Sequence, residues 1–399
     1  MSILANIVKR GDNSYRFTVY LPKDANGKYP RETKTISIEE KLTPKQLKEF
    51  LDSEYLKFKN EVLSGNYVKV EKILFKDFTT QWEKDFASTL ALTTYGNHQR
   101  KLELHIIPVI GHMRMDQINQ FHLMSVIRDM KRYDGKDEPI TYHSKQDVYR
   151  TLKSIFKYAV KWGVISTNPM DGIEKPRPSD TDDIGKDMQI YEEEEIETLM
   201  RMLQSEPELW RIMFTLALAA GLRKGELLGL EWKDVDFANQ QIYIHQSIVL
   251  TKQGPHIKST KTKKSKRYVS LPESVMEELK AYRIHWAKEK LKKGDKWIEQ
   301  DREWLFHSFD GTHLYPTSPS KHWHKFINDR KFKYIRLHDL RHTSASLLIA
   351  QGVHAKIISE RLGHSDISVT MNTYGHAFKS ADRAAADKLN DFFRVKRQS

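Results

Sequence analysis

Leu337-His338-Asp339-Leu340-Arg341-His342-Thr343 is the stretch on which the reading of this 399-residue chain turns. On a helix, positions i and i+3 share a face. His338 and Arg341 can therefore address one cluster of oxygens while Asp339 points elsewhere. Ser344, Ala345, Leu347 and Leu348 continue an apolar-faced helix behind them.

Three further segments gain meaning beside it. In Ala219-Ala220-Gly221-Leu222-Arg223-Lys224-Gly225-Glu226-Leu227 an apolar helix ends at Gly221 and a guanidinium follows at once. Lys258 to Arg267 holds six basic residues in ten and no acid, between two expected strands, as the tip of a hairpin would. Arg361-Leu362-Gly363-His364-Ser365 precedes Asn372-Thr373-Tyr374-Gly375-His376. Taken singly, these read as a surface arginine after a C-cap glycine, a solvated loop, and one packing tyrosine among 17. Taken together they describe a phosphodiester site. Two arginines can each grip a non-bridging oxygen in bidentate fashion, and His338 and His364 supply further donors. A lysine suits a proton donor because neighbouring cations lower its pKa. A cationic pocket is also expected to favour the tyrosine anion and so activate Tyr374 as nucleophile. No Asp/Glu cluster of metal-ligand kind accompanies the set. His322 and His324, flanking Trp323, are two apart and cannot share a helix face; with His307 and His313 they read as surface or DNA-facing histidines.

Bulk properties agree. The length exceeds one ordinary core, so two or three domains are expected. A formal net charge of +13 favours a polyanionic partner, with nucleic acid first. The absence of cysteine excludes disulfides, thiolate nucleophiles and Cys-bearing zinc sites. Met1-Ser2-Ile3-Leu4 lacks the apolar run of a signal peptide, and the most apolar stretch, Ile212 to Leu222, is too short to span a bilayer. The expectation is a cytoplasmic protein.

Periodicity divides the chain. Within 1–66, Tyr15, Phe17, Val19 and Leu21 alternate as a strand does, and a turn-rich stretch from Pro22 to Pro30 with Asn26-Gly27 reads as a hairpin connection. A second strand is expected near Thr33 to Ile38. Thr43-Pro44 then caps a helix carrying Leu47, Phe50, Leu51, Tyr55, Phe58 and Val62. Lys9, Arg10, Arg16, Lys28, Arg31 and Lys34 lie on or beside the strands, as a solvated sheet face or one that enters a DNA groove. Residues 72–173 read as a four-helix bundle: one helix with Phe75, Phe78, Trp82 and Phe86, then Thr93 to Ile107 stopping before Pro108, Gln117 to Met130, and Ser144 to Trp162. Residues 174–188 read as a linker. Residues 189–399 read as a mixed domain opening with helices Glu194 to Leu203 and Trp210 to Ala220, with strands near Gln241 to Ile248 and Arg267 to Leu271. The charge run Glu192 to Glu195 suits a helix N-terminus.

The ordered set Gly-Leu-Arg-x-Gly-Glu-Leu, basic hairpin, His-x-x-Arg, Leu-Gly-His and Tyr-Gly-His resembles the tyrosine recombinase, or phage integrase, family over about 189–376. The layout is similar to integrases of temperate phages and integrative conjugative elements. The resemblance implies a multi-domain fold: a small α+β amino-terminal domain (three-stranded sheet plus helix) for arm-type DNA, an all-α bundle for the core site, and a mainly helical catalytic domain with a small antiparallel sheet. It implies Tyr374 as nucleophile forming a 3′-phosphotyrosine, and Arg223 and Arg341 clamping the scissile phosphate. His338 would be donor or base for the tyrosine, His364 a donor to the phosphate, and Lys261 (or its neighbours Lys263 and Lys264) the acid for the leaving 5′-oxygen. Glu226 would buttress Arg223. Neither ATP nor another high-energy cofactor is needed. Expected partners are double-stranded DNA at core and arm-type attachment sites, three further copies in a tetramer docked through 377–395, and an excisionase or host DNA-bending protein, in a bacterial host. The alternatives are a type IB topoisomerase that relaxes DNA and a catalytically silent DNA-binding regulator.

Overall fold

The computed structural model describes residues 6–23, 27–38, 42–63, 73–133, 140–178, 189–259, 266–299, 301–364 and 366–374. It divides into two compact units, residues 1–182 and 183–399. Asn26, Lys261, Lys263, Lys264, 377–395 and residues 179–188 of the expected linker lie outside the described residues.

The first unit contains two separate cores. Strands β1 (Ile7–Gly11), β2 (Ser14–Tyr20) and β3 (Arg31–Ser37) form an antiparallel sheet in that order. One helix, α1 (Pro44–Leu63), covers one face. Phe17 and Val19 are buried against Leu51, Tyr55, Phe58 and Val62, and the Phe17 ring meets Tyr55 edge-on at 5.8 Å. Thr43 starts α1 through a reciprocal pair: its hydroxyl accepts from the Gln46 amide at 3.4 Å and the Gln46 side chain accepts from the Thr43 amide at 3.1 Å. The alternating strand and the helix match the sequence expectation; β1, short and mostly exposed, carries no such period. Register sorts the basic residues. Phe17 pairs with Lys34 and Tyr15 with Lys9, so these lysines share the α1 side. Arg16 and Arg31 point to the other face, beside exposed Val8 and Tyr20. The basic residues therefore do not form one surface.

The second core is helical. It comprises α2 (Phe75–Asp85), α3 (Leu92–Lys101), α4 (Ile107–Ile110), α5 (Gln120–Arg128) and α6 (Tyr142–Lys161). Phe75, Phe78, Trp82, Leu123, Leu152 and Phe156 fill it. The expected stop before Pro108 does not occur. A π turn, Leu102–Ile106, joins α3 to α4, and the Ile107 amide reaches back to the Leu102 carbonyl. Pro108 then falls in a new first turn, where its missing N–H costs little. The third helix is shorter than expected because Asn119, in a capping box with His122, begins it.

The second unit begins with α7 (Glu193–Leu203), capped by Glu192 and Glu195 with the acid run in its first turn. Helix α8 (Glu208–Ala219) buries Ile212, Met213, Phe214, Leu216, Ala217 and Leu218. The short α9 (Lys224–Leu228) follows. Strands β4 (Val235–Asp236), β5 (Gln241–Ile244), β6 (Gln246–Thr251), β7 (Gly254–Ser259) and β8 (Arg267–Ser270) form two sheets, β4-β5-β8 and β6-β7. This corrects the hairpin expectation. The hairpin is β6-β7, with Lys252 and Gln253 at its turn, whereas β8 pairs with β5. The basic stretch therefore starts in one sheet and ends in another. Helices α10 (Glu273–Lys293), α11 (Ser318–Asp329), α12 (Asp339–Ala350) and α13 (Ala355–Leu362) follow among the described residues of the unit, with residues 367–374 helical. Helix α8 packs against both α10 and α12. The histidine expectation is corrected in part. His307 is buried against Trp286 and Trp297, and His322 stacks on Trp210 at 4.1 Å and bonds Glu206 at 2.8 Å, while His324 is exposed.

The small amino-terminal core rests on seven buried apolar side chains, so it has little capacity to absorb a cavity. Phe58→Ala is expected to cost about 3–5 kcal/mol. Hydrogen exchange on the full chain should then show protection lost across 7–63 and kept across 189–364. Uniform loss or none would disprove the separateness of that core.

Candidate active site

Helix α13 ends where its sequence requires. Gly363 takes the left-handed conformation, φ 66°, as its C-cap. The last-turn carbonyls of a helix have no intrahelical partner and form the negative end of its dipole. Here they are held by guanidinium groups. Arg267 Nε donates to the Arg361 carbonyl at 2.7 Å and Arg341 Nη2 to the Leu362 carbonyl at 2.7 Å. Arg223 donates to the Leu362 and Gly363 carbonyls at 3.4 and 3.2 Å. A Cβ on Gly363 would lie 2.6 Å from Arg267 Nη1, so glycine is needed both for the turn and for this approach.

Arg223 stands just before α9 and Glu226 lies in that helix's first turn. The Glu226 carboxylate accepts from Arg223 Nη1 and from Arg267 Nη2, each at 2.9 Å, and also from the Arg223 amide at 3.0 Å. Burial pushes its pKa up, but Arg267 first and Arg223 after it outweigh that, leaving a net lowering. Glu226 thus buttresses Arg223, as expected, and Arg267 as well. Arg267 had been legible only as the last member of the basic stretch.

Arg341 is 3% exposed, and its other bond runs to the Gly221 carbonyl at 2.7 Å. Burial, with the neighbouring Arg223 cation, lowers its pKa to about 9. It remains charged at neutral pH, in a place where an added anion would relieve it. His338 starts α12 four residues before His342, and the rings meet edge-on at 5.2 Å. Solvent reaches His338 on one side, yet burial of the rest of the ring, then Arg341, lowers its pKa. His364 is half-buried. Its Nδ1 pairs with the Thr370 hydroxyl at 2.7 Å, and burial followed by Arg341 lowers its pKa to about 4.

Tyr374 is 3% exposed, packed among Ala345, Ile349, Ile358 and Leu362. Its hydroxyl lies 2.8 Å from His342 Nδ1. Burial raises its pKa to about 12 despite the opposing Arg341 charge. Arg341 favours the anion, as expected, but desolvation outweighs it and the phenol stays protonated. Arg223, His338, Arg341, His364 and Tyr374 all come together around the start of α12 and the end of α13. His342, which the sequence reading passed over, joins them. Its signal was its position, one turn beyond His338 and next to Arg341.

Residues 189–381 match the family model described as Phage integrase family, and residues 74–131 match the one for the phage integrase N-terminal SAM-like domain. The chain belongs to the phage integrase family. This integrase-family chain is 28% identical to the tyrosine recombinase XerC-like protein of Caldanaerobacter subterraneus subsp. tengcongensis, over 98% of this chain and 100% of that one. It is 31% identical to the ICEBs1 integrase of Bacillus subtilis, covering 62% of this chain and 65% of that one. Its fold resembles the Tn1549 transposon integrase solved with transposon right end DNA, with TM-score 0.66 and 20% identity over 80% of this chain and 100% of that one. It also resembles a lambda integrase dimer bound to a core site, with TM-score 0.54 and 18% identity over 92% and 94%. Among the described residues, no group of three or more His, Cys, Asp or Glu side chains could hold a metal, and no helix is long and apolar enough to cross a membrane.

Glu226→Gln tests the arginine frame. Losing one partner of a buried pair is expected to cost about 3–5 kcal/mol. The wild-type carboxylate has a lowered folded pKa. Its contribution is therefore complete above its ordinary pKa and lost as pH falls through the folded value. Thermal melts from pH 7 down to pH ~3 should lose stability more steeply for wild type than for the variant. Parallel curves would place the ion pairs outside the stability balance.

Proposed function

We propose that this chain is a site-specific DNA recombinase that cleaves and rejoins strands through Tyr374, integrating and excising a mobile element. The observation that carries this reading is a buried phenol set near the buried Arg341 guanidinium, with the half-exposed Arg223 guanidinium at the same helix end, poised to receive an anion. Tyr374 Oη attacks the scissile phosphorus, forming a 3′-phosphotyrosine and releasing a 5′-hydroxyl. Arg223 and Arg341 bind the non-bridging oxygens. His364 Nδ1 is engaged by the Thr370 hydroxyl; in the tautomer in which Thr370 donates to it, neutral His364 carries its proton on Nε2 and gives that N–H to the phosphate. Each fixed donor is worth roughly 10²–10³ in rate as negative charge builds on phosphorus oxygens. Lys261 protonates the leaving 5′-oxygen. The covalent bond conserves the phosphodiester energy, so ATP is not needed.

The partners follow from the same reading. Double-stranded DNA is the substrate. Residues 72–173 engage the core site, and residues 1–66 engage arm-type sites through the outer sheet face carrying Arg16 and Arg31. Residues 174–188 link these parts to the catalytic domain, 189–399. Chains of similar fold include a lambda integrase tetramer bound to a Holliday junction. A tetramer docked through 377–395 is proposed here on that likeness, with an excisionase or host DNA-bending protein setting direction.

The experiment uses a DNA carrying two attachment sites. Wild type is expected to give recombinant joints and a detergent-resistant adduct, and Tyr374→Phe to bind equally while forming neither. Relaxation without strand exchange would instead indicate a topoisomerase. Lys261→Ala should lose cleavage on ordinary DNA and recover it on a substrate with a 5′-thiol leaving group, which needs no proton. Recovery with Lys263→Ala instead would move the acid.

A further inference from the structure

Tyr374 has a partner that the recombinase reading did not assign. Its hydroxyl lies 2.8 Å from His342 Nδ1, with ring centroids 5.8 Å apart. His342 is fixed on α12 directly after Arg341, so phosphate clamp and imidazole are set by one rigid element. We propose that His342, rather than His338, is the general base that takes the Tyr374 proton during strand cleavage. The proposal rests on the recombinase reading and adds a catalytic residue to it.

The geometry favours His342 on two counts. The phenol's hydrogen bond runs to this ring and not to His338, which stands one turn earlier and touches His342 edge-on. The ring is also in the correct protonation state. Burial, then His338, lower its pKa to about 4, so at neutral pH the ring is neutral, and in the tautomer with its proton on Nε2 the Nδ1 lone pair accepts from the phenol. Asp339 pulls the other way, while Arg341 and Arg336 also disfavour the cation.

The proton stays on oxygen at rest, because a phenol raised to about 12 is a far weaker acid than this imidazolium. Attack changes that balance. As Oη bonds to phosphorus it becomes strongly acidic, and the proton moves within the existing hydrogen bond. One Oη lone pair forms the new P–O bond, and the former O–H pair stays on oxygen as the proton passes to His342 Nδ1. The P–O5′ bond breaks with its pair on the 5′-oxygen, which takes a proton from the acid assigned to Lys261. In rejoining, the 5′-hydroxyl attacks, passing its proton back to the neutral Lys261 amine, and His342 returns its own proton to the departing tyrosine. The transient imidazolium lies beside a phosphorane that carries added negative charge.

The test uses the full chain and a nicked DNA that traps the covalent adduct. His342→Gln and His342→Asn keep a polar side chain but cannot accept the proton. Each is expected to slow adduct formation by about 10²-fold or more while DNA binding stays at the wild-type level. Replacing Tyr374 by a fluorinated tyrosine, whose phenol is more acidic, should then restore about tenfold in the variants and much less beside intact His342. A merely structural role would not produce that difference. Variant rates within about threefold of wild type, or slow variants that fluorination does not help, would overturn the assignment. A wild-type protein that formed no adduct at all would remove the recombinase reading first, which separates the two failures.

Discussion

The site depends on one contact: three guanidinium groups held by the last-turn carbonyls at the end of α13, which have no intrahelical partner. Those carbonyls need donors, since a helix cannot satisfy its own last turn. Arginine offers several N–H groups in a rigid fork. Arg267, Arg341 and Arg223 take the carbonyls of Arg361, Leu362 and Gly363, and Glu226 ties two of them to α9. Both ends of the frame need glycine. Gly363 turns α13 away at positive φ, and Gly221, φ 62°, brings its carbonyl to Arg341 where a Cβ would strike Leu362. Arg361 adds a tie to the end of α8, donating to the Ala219 carbonyl at 2.8 Å.

Positive charge concentrated this way has a cost that is met only in part. Arg341 is held by carbonyl dipoles, and burial with Arg223 nearby depresses its pKa. An anion entering the site would recover much of that cost, so phosphate binding and cation burial belong to one balance. Donors fixed before substrate arrives need no reorganisation as charge develops, which is where such a site gains rate. The same surroundings keep the proposed nucleophile silent. Tyr374 sits among Ala345, Ile349, Ile358 and Leu362, and desolvation holds it protonated against the pull of Arg341.

What the sequence made legible were features with a local signature. A glycine after an apolar helix, a His-x-x-Arg spacing on one helix face, an acid run at a helix start and an alternating strand each follow from a few neighbouring residues. Features set by distant pairing were not legible. Arg267 looked like the end of a basic loop, because nothing local says that β8 pairs with β5 while β7 pairs with β6. Pro108 looked like a stop because the π turn that admits it is invisible in composition. The expectation of an activated tyrosine counted nearby cations but could not count the apolar side chains that desolvate the phenol.

His342 shows why adjacency to Arg341 matters for chemistry as well as position. Burial, then His338, keeps the ring neutral and so ready to accept, with Arg341 adding a lesser push, and the same surroundings make it a weak base. Weakness is tolerable when the acid it serves becomes strong only at the moment of bond formation. Phosphate binding relaxes the conflict further, since its charge offsets Arg341 and lets the imidazole ring hold a proton. On the proposed mechanism, one helix turn, His338 to His342, therefore sets both a phosphate grip and a proton acceptor: the anion that satisfies the arginine also strengthens the base.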